Sequence, residues 1–446
     1  MLDRALQGVM PGRDVNNETI KTATASMVEP GTASEGASER IEQSGTADIV
    51  IGLVDQNAAG NVSAIAGTIR TGLASLSQNA RTLVVLRNSS TGSTQAESLD
   101  ALADDALRLG TYSSPEIHSS VTAAESISNA YRSIWSISER FGARACVVIA
   151  SSIETVTPAW IQGLVQPLLE RDIDLVAPCY VPHEFEGLLN RAILQPLIRA
   201  LYGKQIQNPF GPDFGFSARL FPSLLQIDPA RTRYEGAHQL ALVGPHAIAR
   251  GFRVCQAYLG KRVYPPVDWK HVDSVLAEIL GPLFLGVERD APFWQHIRNS
   301  EAVPMYGDPL PRAEETVVVD TQRLLEPFRL GFRNLQEIWG LVLPPTVLFE
   351  LKKADRLPPE QFRIPDELWA RIVYDFALAH RLRIIARDHL LRAMTPLYLG
   401  WLTSYALEVN AGGDGLQRRE DRLCTAYESE KSYLVSRWRW PDRFNP

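Results

Sequence analysis

The run Ala47-Asp48-Ile49-Val50-Ile51-Gly52-Leu53-Val54, stopped by Asp55-Gln56-Asn57, reads as a buried β-strand and its turn. Working outward, Val62, Ile65, Ala66, Ile69 and Leu73 follow at helical spacing. Thr82–Leu86 is a second apolar strand and Asn88–Thr94 a loop of small residues, with helices predicted over Ala96–Leu109 and Ala123–Phe141. A third strand, Ala145–Ala150, runs into the loop Ser151–Thr157. Pro158 then opens a helix, with Thr157 placed to cap it. Asp174–Pro178 is a fourth strand and Leu188–Tyr202 a further helix. Strands alternating with helices from Asp48 to Tyr202 predict an α/β fold, a mostly parallel sheet with helices on both faces. Ligands on such a sheet sit outside the carboxyl ends of its strands.

Downstream, Gly211–Gly215 reads as a glycine-rich turn and Arg253–Tyr258 as a strand, so that 47–300 forms one unit. Residues 301–315, Pro-rich and polar at their start, read as a linker, and 316–446 as a helical C-terminal lobe. Its apolar faces are Leu368, Ile372, Val373 and Phe376, then Leu397 to Leu407. Residues 1–46, rich in Gly, Ser, Thr, Glu and Asn, lack apolar periodicity and are predicted to be a disordered tail.

The chain has 446 residues, a net charge of −6 and a pI near 5.8, with 45% apolar residues. That acidic balance argues against nucleic acid as the partner. No apolar run is long enough for a transmembrane segment, and the first residues lack a basic start followed by an apolar core. Cys146, Cys179, Cys255 and Cys424 lie far apart, without a CxxC pair, and read as reduced thiols. The expectation is a cytoplasmic, multi-domain chain.

Several strings together resemble one family. They are Tyr202-Gly203-Lys204, Gly211-Pro212-Asp213-Phe214-Gly215-Phe216-Ser217, Gly251–Ala257, Asp366–Phe376 and Thr395–Gly400. They resemble bacterial GT-A glycosyltransferases, close to the glucosylglycerate and mannosylglycerate synthase type, from Asp48 to Trp438. The resemblance implies retaining transfer of a sugar from a nucleotide donor to a small hydroxy acid or phosphorylated acceptor. It also implies Mg²⁺ or Mn²⁺ on an Asp-x-Asp after the third strand, since carboxylates supply the oxygens and charge that hard cations need.

This chain departs from that pattern at each charged position. The metal loop reads Ala150-Ser151-Ser152. The Asn-Ser-Asp-Gly-Gly-Ser-Thr-Asp run implied for the base and ribose reads Asn88-Ser89-Ser90-Thr91-Gly92-Ser93-Thr94-Gln95. The lysine implied for the diphosphate is replaced by Ile127, and the acid of a Gly-Ile-Asp segment by Ala237. The metal-binding histidine falls on Tyr264. The expectation is therefore no bound metal. Ala150–Ser152 reads as either a structural remnant or a metal-free active loop.

Asp213 is the surviving acid of the best-preserved string, a candidate catalytic group facing sugar or acceptor, or alternatively the cap of its turn. Gly211, Gly215, Ser217 and Arg253 are the candidate substrate-binding residues around it. Glu154, and the His271 run between Asp268 and Asp273, are weaker metal candidates, each with a surface or packing alternative. In the lobe, Arg371, Tyr374, Asp375, Arg387, Asp388 and His389 are candidates for an acceptor pocket, a subunit contact or a seam between lobe and core. Two functional expectations follow: a non-catalytic binding or partner subunit, as a homo-oligomer or paired with an intact homologous transferase, or an active metal-independent transferase that binds a nucleotide sugar.

Overall fold

A computed structural model describes residues 45–54, 62–74, 76, 80–87, 107–112, 123–181, 183–227, 240–262, 272–309, 319–412 and 415–441. The predicted tail lies outside these residues apart from 45 and 46. Ala47, at the head of the apolar run, is buried, and its N–H donates to Phe141 O at 3.2 Å.

The strands are β1 (Ile49–Leu53), β2 (Thr82–Arg87), β3 (Leu107–Tyr112), β4 (Ala145–Ile149) and β5 (Leu175–Tyr180), then β6 (Lys204–Gln205), β7 (Asp213–Ser217), β8 (Val254–Gly260), β9 (Glu301–Ala302) and β10 (Met305–Tyr306). Eight of them form one sheet in the order β10-β8-β5-β7-β4-β1-β2-β3, and β6 pairs with β9 beside it. All the neighbours in the large sheet are parallel except β7, which runs antiparallel between β4 and β5. Among the helices that flank this sheet are α1 (Val62–Leu73), α2 (Ala123–Arg140) and α3 (Pro158–Glu170).

Strand period sorts side chains between the two faces. Ile49, Ile51 and Leu53 pack with Ile65 and Ile69 of α1 and with Trp160, Ile161 and Leu164 of α3. Val50, Val85, Cys146 and Val148 point the other way, onto Ala130, Tyr131, Ile134 and Trp135 of α2. That second cluster runs on without a break into the C-terminal helices. The predicted mostly parallel α/β sheet is what forms.

Three local expectations are corrected. Leu107–Leu109, read as the end of a helix, starts β3 and pairs with β2. The Gly211–Gly215 turn is mostly strand, β7. Thr157 precedes α3, but its side chain makes no capping bond. Of the expected linker, Glu301–Ala302 and Met305–Tyr306 are built into the sheets, pairing with β6 and β8.

After β5 a π-helical turn (Asn190–Leu194) leads into α4 (Gln195–Tyr202), and α5 (Leu220–Leu225), α6 (Leu240–Ala249), α7 (Val272–Arg289) and α8 (Ala291–Trp294) complete the central part. The lobe consists of α9 (Thr321–Asn334), α10 (Gln336–Val342), α11 (Pro345–Asp355), α12 (Asp366–Leu382), α13 (Arg387–Asn410), α14 (Leu416–Ser429) and α15 (Lys431–Arg439). Asp320 caps α9, accepting from the N–H groups of Gln322 and Arg323. Among the described residues no helix is long and apolar enough to cross a membrane.

Candidate functional site at the carboxyl end of the sheet

Because β7 runs against β4, its first residue, Asp213, lies beside Ile149, the last of β4. The acid is thereby brought to the carboxyl end of the sheet, directly under the Ala150-Ser151-Ser152 loop. It is fully buried. Its Oδ1 accepts from Ala150 N at 2.9 Å and Ser151 N at 3.0 Å. Its Oδ2 accepts from Ser151 Oγ at 2.5 Å and from the Tyr180 hydroxyl at the end of β5. Two more bonds close the same corner: Pro212 O accepts from Ala150 N at 3.1 Å and from the Tyr131 hydroxyl of α2 at 2.5 Å. Tyr180 leans on Trp160, ring centres 5.7 Å apart, and the Arg262 guanidinium sits 5.3 Å from the Tyr180 ring.

This donor set does not fit a divalent cation. A hard ion needs several free oxygens with negative charge among them. The loop offers two serine side chains, one of which already donates to Asp213, and the acid itself is occupied by N–H and O–H donors. Glu154 is exposed in the short 3₁₀ turn beyond. Among the described residues no group of three or more His, Cys, Asp or Glu is arranged to hold a metal ion.

The other expected residues are not all brought to this place. Gly211 is close by, packed so tightly that a Cβ would lie 2.6 Å from Pro178 Cγ. Gly215 is in mid-strand, where a Cβ would come 2.6 Å from the Leu164 carbonyl oxygen of α3. It is glycine because a helix backbone crosses it, which explains why a glycine-rich string forms a strand. Ser217 and Arg253 stand at the opposite, amino end of the sheet, about 13 Å away along β4. There Ser217 Oγ donates to Asp174 Oδ1 at 2.7 Å, and Arg253 pairs with Asp172 at 2.9 Å. Arg219 ties both acids together, at 2.9 Å from each. Ile127 is a half-buried core residue of α2. Ser90, Ala237, Tyr264, Asp268 and His271 lie outside the described residues.

The candidate lobe residues mostly meet partners within the chain. Arg371 binds Glu430 at 2.8 Å, Tyr374 donates to Tyr427 O at 2.7 Å, and Asp375 accepts from Tyr433 and pairs with Arg437 at 3.0 Å. Arg387 reaches Glu288 of α7 at 3.1 Å and His380 O at 3.2 Å. Only the Arg387–Glu288 pair crosses from the lobe to the core; the other bonds stay inside the lobe. Reading the residues in order missed Tyr180 and Arg262, while Ser151 was named only as part of the Ala150–Ser152 loop. The available signal was weak: hydroxyl and cationic residues sitting just after, or at, the ends of strands.

The strand order, with one antiparallel strand between β4 and β5 and a helical C-terminal region, is a mixed, mostly parallel α/β arrangement. Among its structural neighbours are mannosyl-3-phosphoglycerate synthase from Rubrobacter xylanophilus, at 14% identity over 58% of this chain and 80% of that one, TM-score 0.37. Another is a mycobacterial protein, at 16% identity over 60% and 81%, TM-score 0.35. A third is the M. tuberculosis glucosyl-3-phosphoglycerate synthase, at 18% identity over 56% and 83%, TM-score 0.31. No family model matches the chain, and no curated protein does.

Proposed function

We propose that this chain is a glycosyltransferase-fold protein that has given up metal-dependent sugar transfer and acts as a non-catalytic binding or partner subunit. The observation that carries this reading is the state of Asp213. Asp213, at the amino end of β7 beside the carboxyl end of β4, is buried and fully engaged by donors of its own chain. Each of its oxygens accepts two bonds from its own chain, which leaves no free lone pair for a donor sugar or its metal. A half-buried isoleucine, Ile127, stands where the family resemblance calls for a lysine on the diphosphate. Losing even one electrostatic contact to a transition state typically costs about 10²–10³ in rate.

The alternative is a metal-independent retaining transferase moving a hexose from a nucleotide sugar to a glycerate-like acceptor. Arg262, beside Tyr180 at the end of β8, favours it, being a cation at the place where leaving-group charge would build. Incubation with UDP-glucose or GDP-mannose and either glycerate or 3-phosphoglycerate, with and without Mn²⁺, separates the two. The expected outcome is no glycoside above background under any condition. Metal-independent product that disappears in Arg262→Ala would overturn the proposal and establish the alternative.

A further inference from the structure

A cleft between the segment after β5 and the lobe holds a buried cation short of acceptors. Arg419, in the first turns of α14, is 5% exposed. Its Nη2 reaches Glu184 Oε1 only at 3.5 Å, while Nε and Nη1 are buried and have no acceptor among the described residues. Buried guanidinium N–H groups without acceptors are rare, and each asks for a water or an ion. The surrounding acids do not fill the gap. Glu420 is held by Arg191 at 2.7 Å, and Asp366 and Glu408 by Arg422 at 2.8 and 2.7 Å.

Three further features point the same way. The helix α14 opens Leu416-Gln417-Arg418-Arg419 with no acid in its first turn, placing cations at the end whose dipole already favours an anion. Arg363, exposed, stands at the rim of the same cleft. Trp401 and Tyr405, stacked 5.5 Å apart, form a wall, and the Arg419 guanidinium lies 5.7 Å from the Tyr405 ring. The cavity measures about 30 Å³, which suits one small charged group and not a sugar nucleotide.

We propose that this cleft binds a small anion through a phosphate or carboxylate group, with Arg419 as the buried anchor and Arg363 at the mouth. The assignment stands whichever reading of the sheet end holds, because Arg419 and Arg363 belong to the lobe. It is tested on the full chain at constant ionic strength by calorimetry and melting, with sodium phosphate, glycerate and 3-phosphoglycerate titrated separately. The wild type should melt about 2–3 °C higher at a hundredfold excess over Kd. Arg419→Met should abolish that response. Arg363→Ala, changed at an exposed position that leaves the fold intact, should weaken binding about tenfold. A response to phosphate without one to glycerate identifies the phosphate group, and the reverse identifies the carboxylate. No response to any of the three in the wild type overturns the proposal, as does an unchanged affinity in Arg363→Ala, which decides the matter alone if Arg419→Met fails to fold.

Discussion

At position 213 a carboxylate with no exposure accepts from two backbone N–H groups, a serine hydroxyl and a tyrosine hydroxyl. The two oxygens of a carboxylate offer enough acceptor sites for all four. Asp213→Asn puts an NH₂ where Oδ2 accepts, so the Ser151 and Tyr180 hydroxyls must both turn from donor to acceptor and their own protons lose their partner. The expected loss is about 2–4 kcal/mol, read as a lower urea midpoint with unchanged m. Ser151→Ala removes one donor from an acceptor that keeps the others, and should cost about 1 kcal/mol. Asp213 stood out in the chain because it sits among glycines and aromatics. Its partners did not, since Tyr180 is 33 and Ser151 62 positions away, and no local period encodes a bond across that distance.

At the scale of elements, the π-helical turn Asn190–Leu194 explains how the lobe is fastened to the sheet. Pro196, four residues on, has no N–H to donate to the buried Ala192 carbonyl, which is left open to outside donors. Trp369 Nε1 of α12 and the Tyr427 hydroxyl of α14 both donate to it, each at 2.9 Å. Either donor alone satisfies the oxygen. Tyr427→Phe should therefore cost about 1 kcal/mol, and Trp369→Phe somewhat more because it also leaves a void. The double variant strands a buried carbonyl and should exceed the sum by about 1–2 kcal/mol in a double-mutant cycle. Strict additivity would show that the two donors act separately. Apolar runs such as Ile49–Leu53 and Ala145–Ile149 were legible as strands because burial on both faces needs nothing but hydrophobic side chains. β3 was not, since Leu-Arg-Leu-Gly-Thr-Tyr carries little of that signal and continues a helical pattern. β7 was not either, because its Gly215 answers to the α3 backbone crossing it, a tertiary cause.

Across the whole molecule, three buried titratable groups outside the sheet-end site shape stability against pH. His246 and His380, nearly unexposed, are held neutral by burial, reinforced by Arg250 and Arg289 near the first and Arg387 and Arg383 near the second; each is lowered to about 3. Between about pH 6.5 and that value the unfolded chain takes up a proton that the native chain refuses, so each histidine makes stability fall as pH falls. Asp375 works in the opposite sense. Burial pushes its carboxyl up to about 7 against the pull of Arg437, Tyr433 and Arg371. Between its unfolded value near 4 and pH 7 the native chain holds the extra proton, so its contribution declines as pH rises. In the overlapping window, roughly pH 4.5 to 6, two histidines against one acid leave a net uptake of about one proton on unfolding. These groups then weaken the fold by about 1.4 kcal/mol per unit of acidification. His380→Phe retains a ring against Phe284, 5.7 Å away in the wild type, and removes one of the two histidines. Urea midpoints at pH 5, 5.5 and 6 should show its acid slope shallower than wild type by that amount, and Asp375→Asn, which deletes the opposing group, should be steeper by a similar amount. Identical slopes in all three proteins would mean that His380 and Asp375 exchange protons with water in the folded state as they do in the unfolded chain.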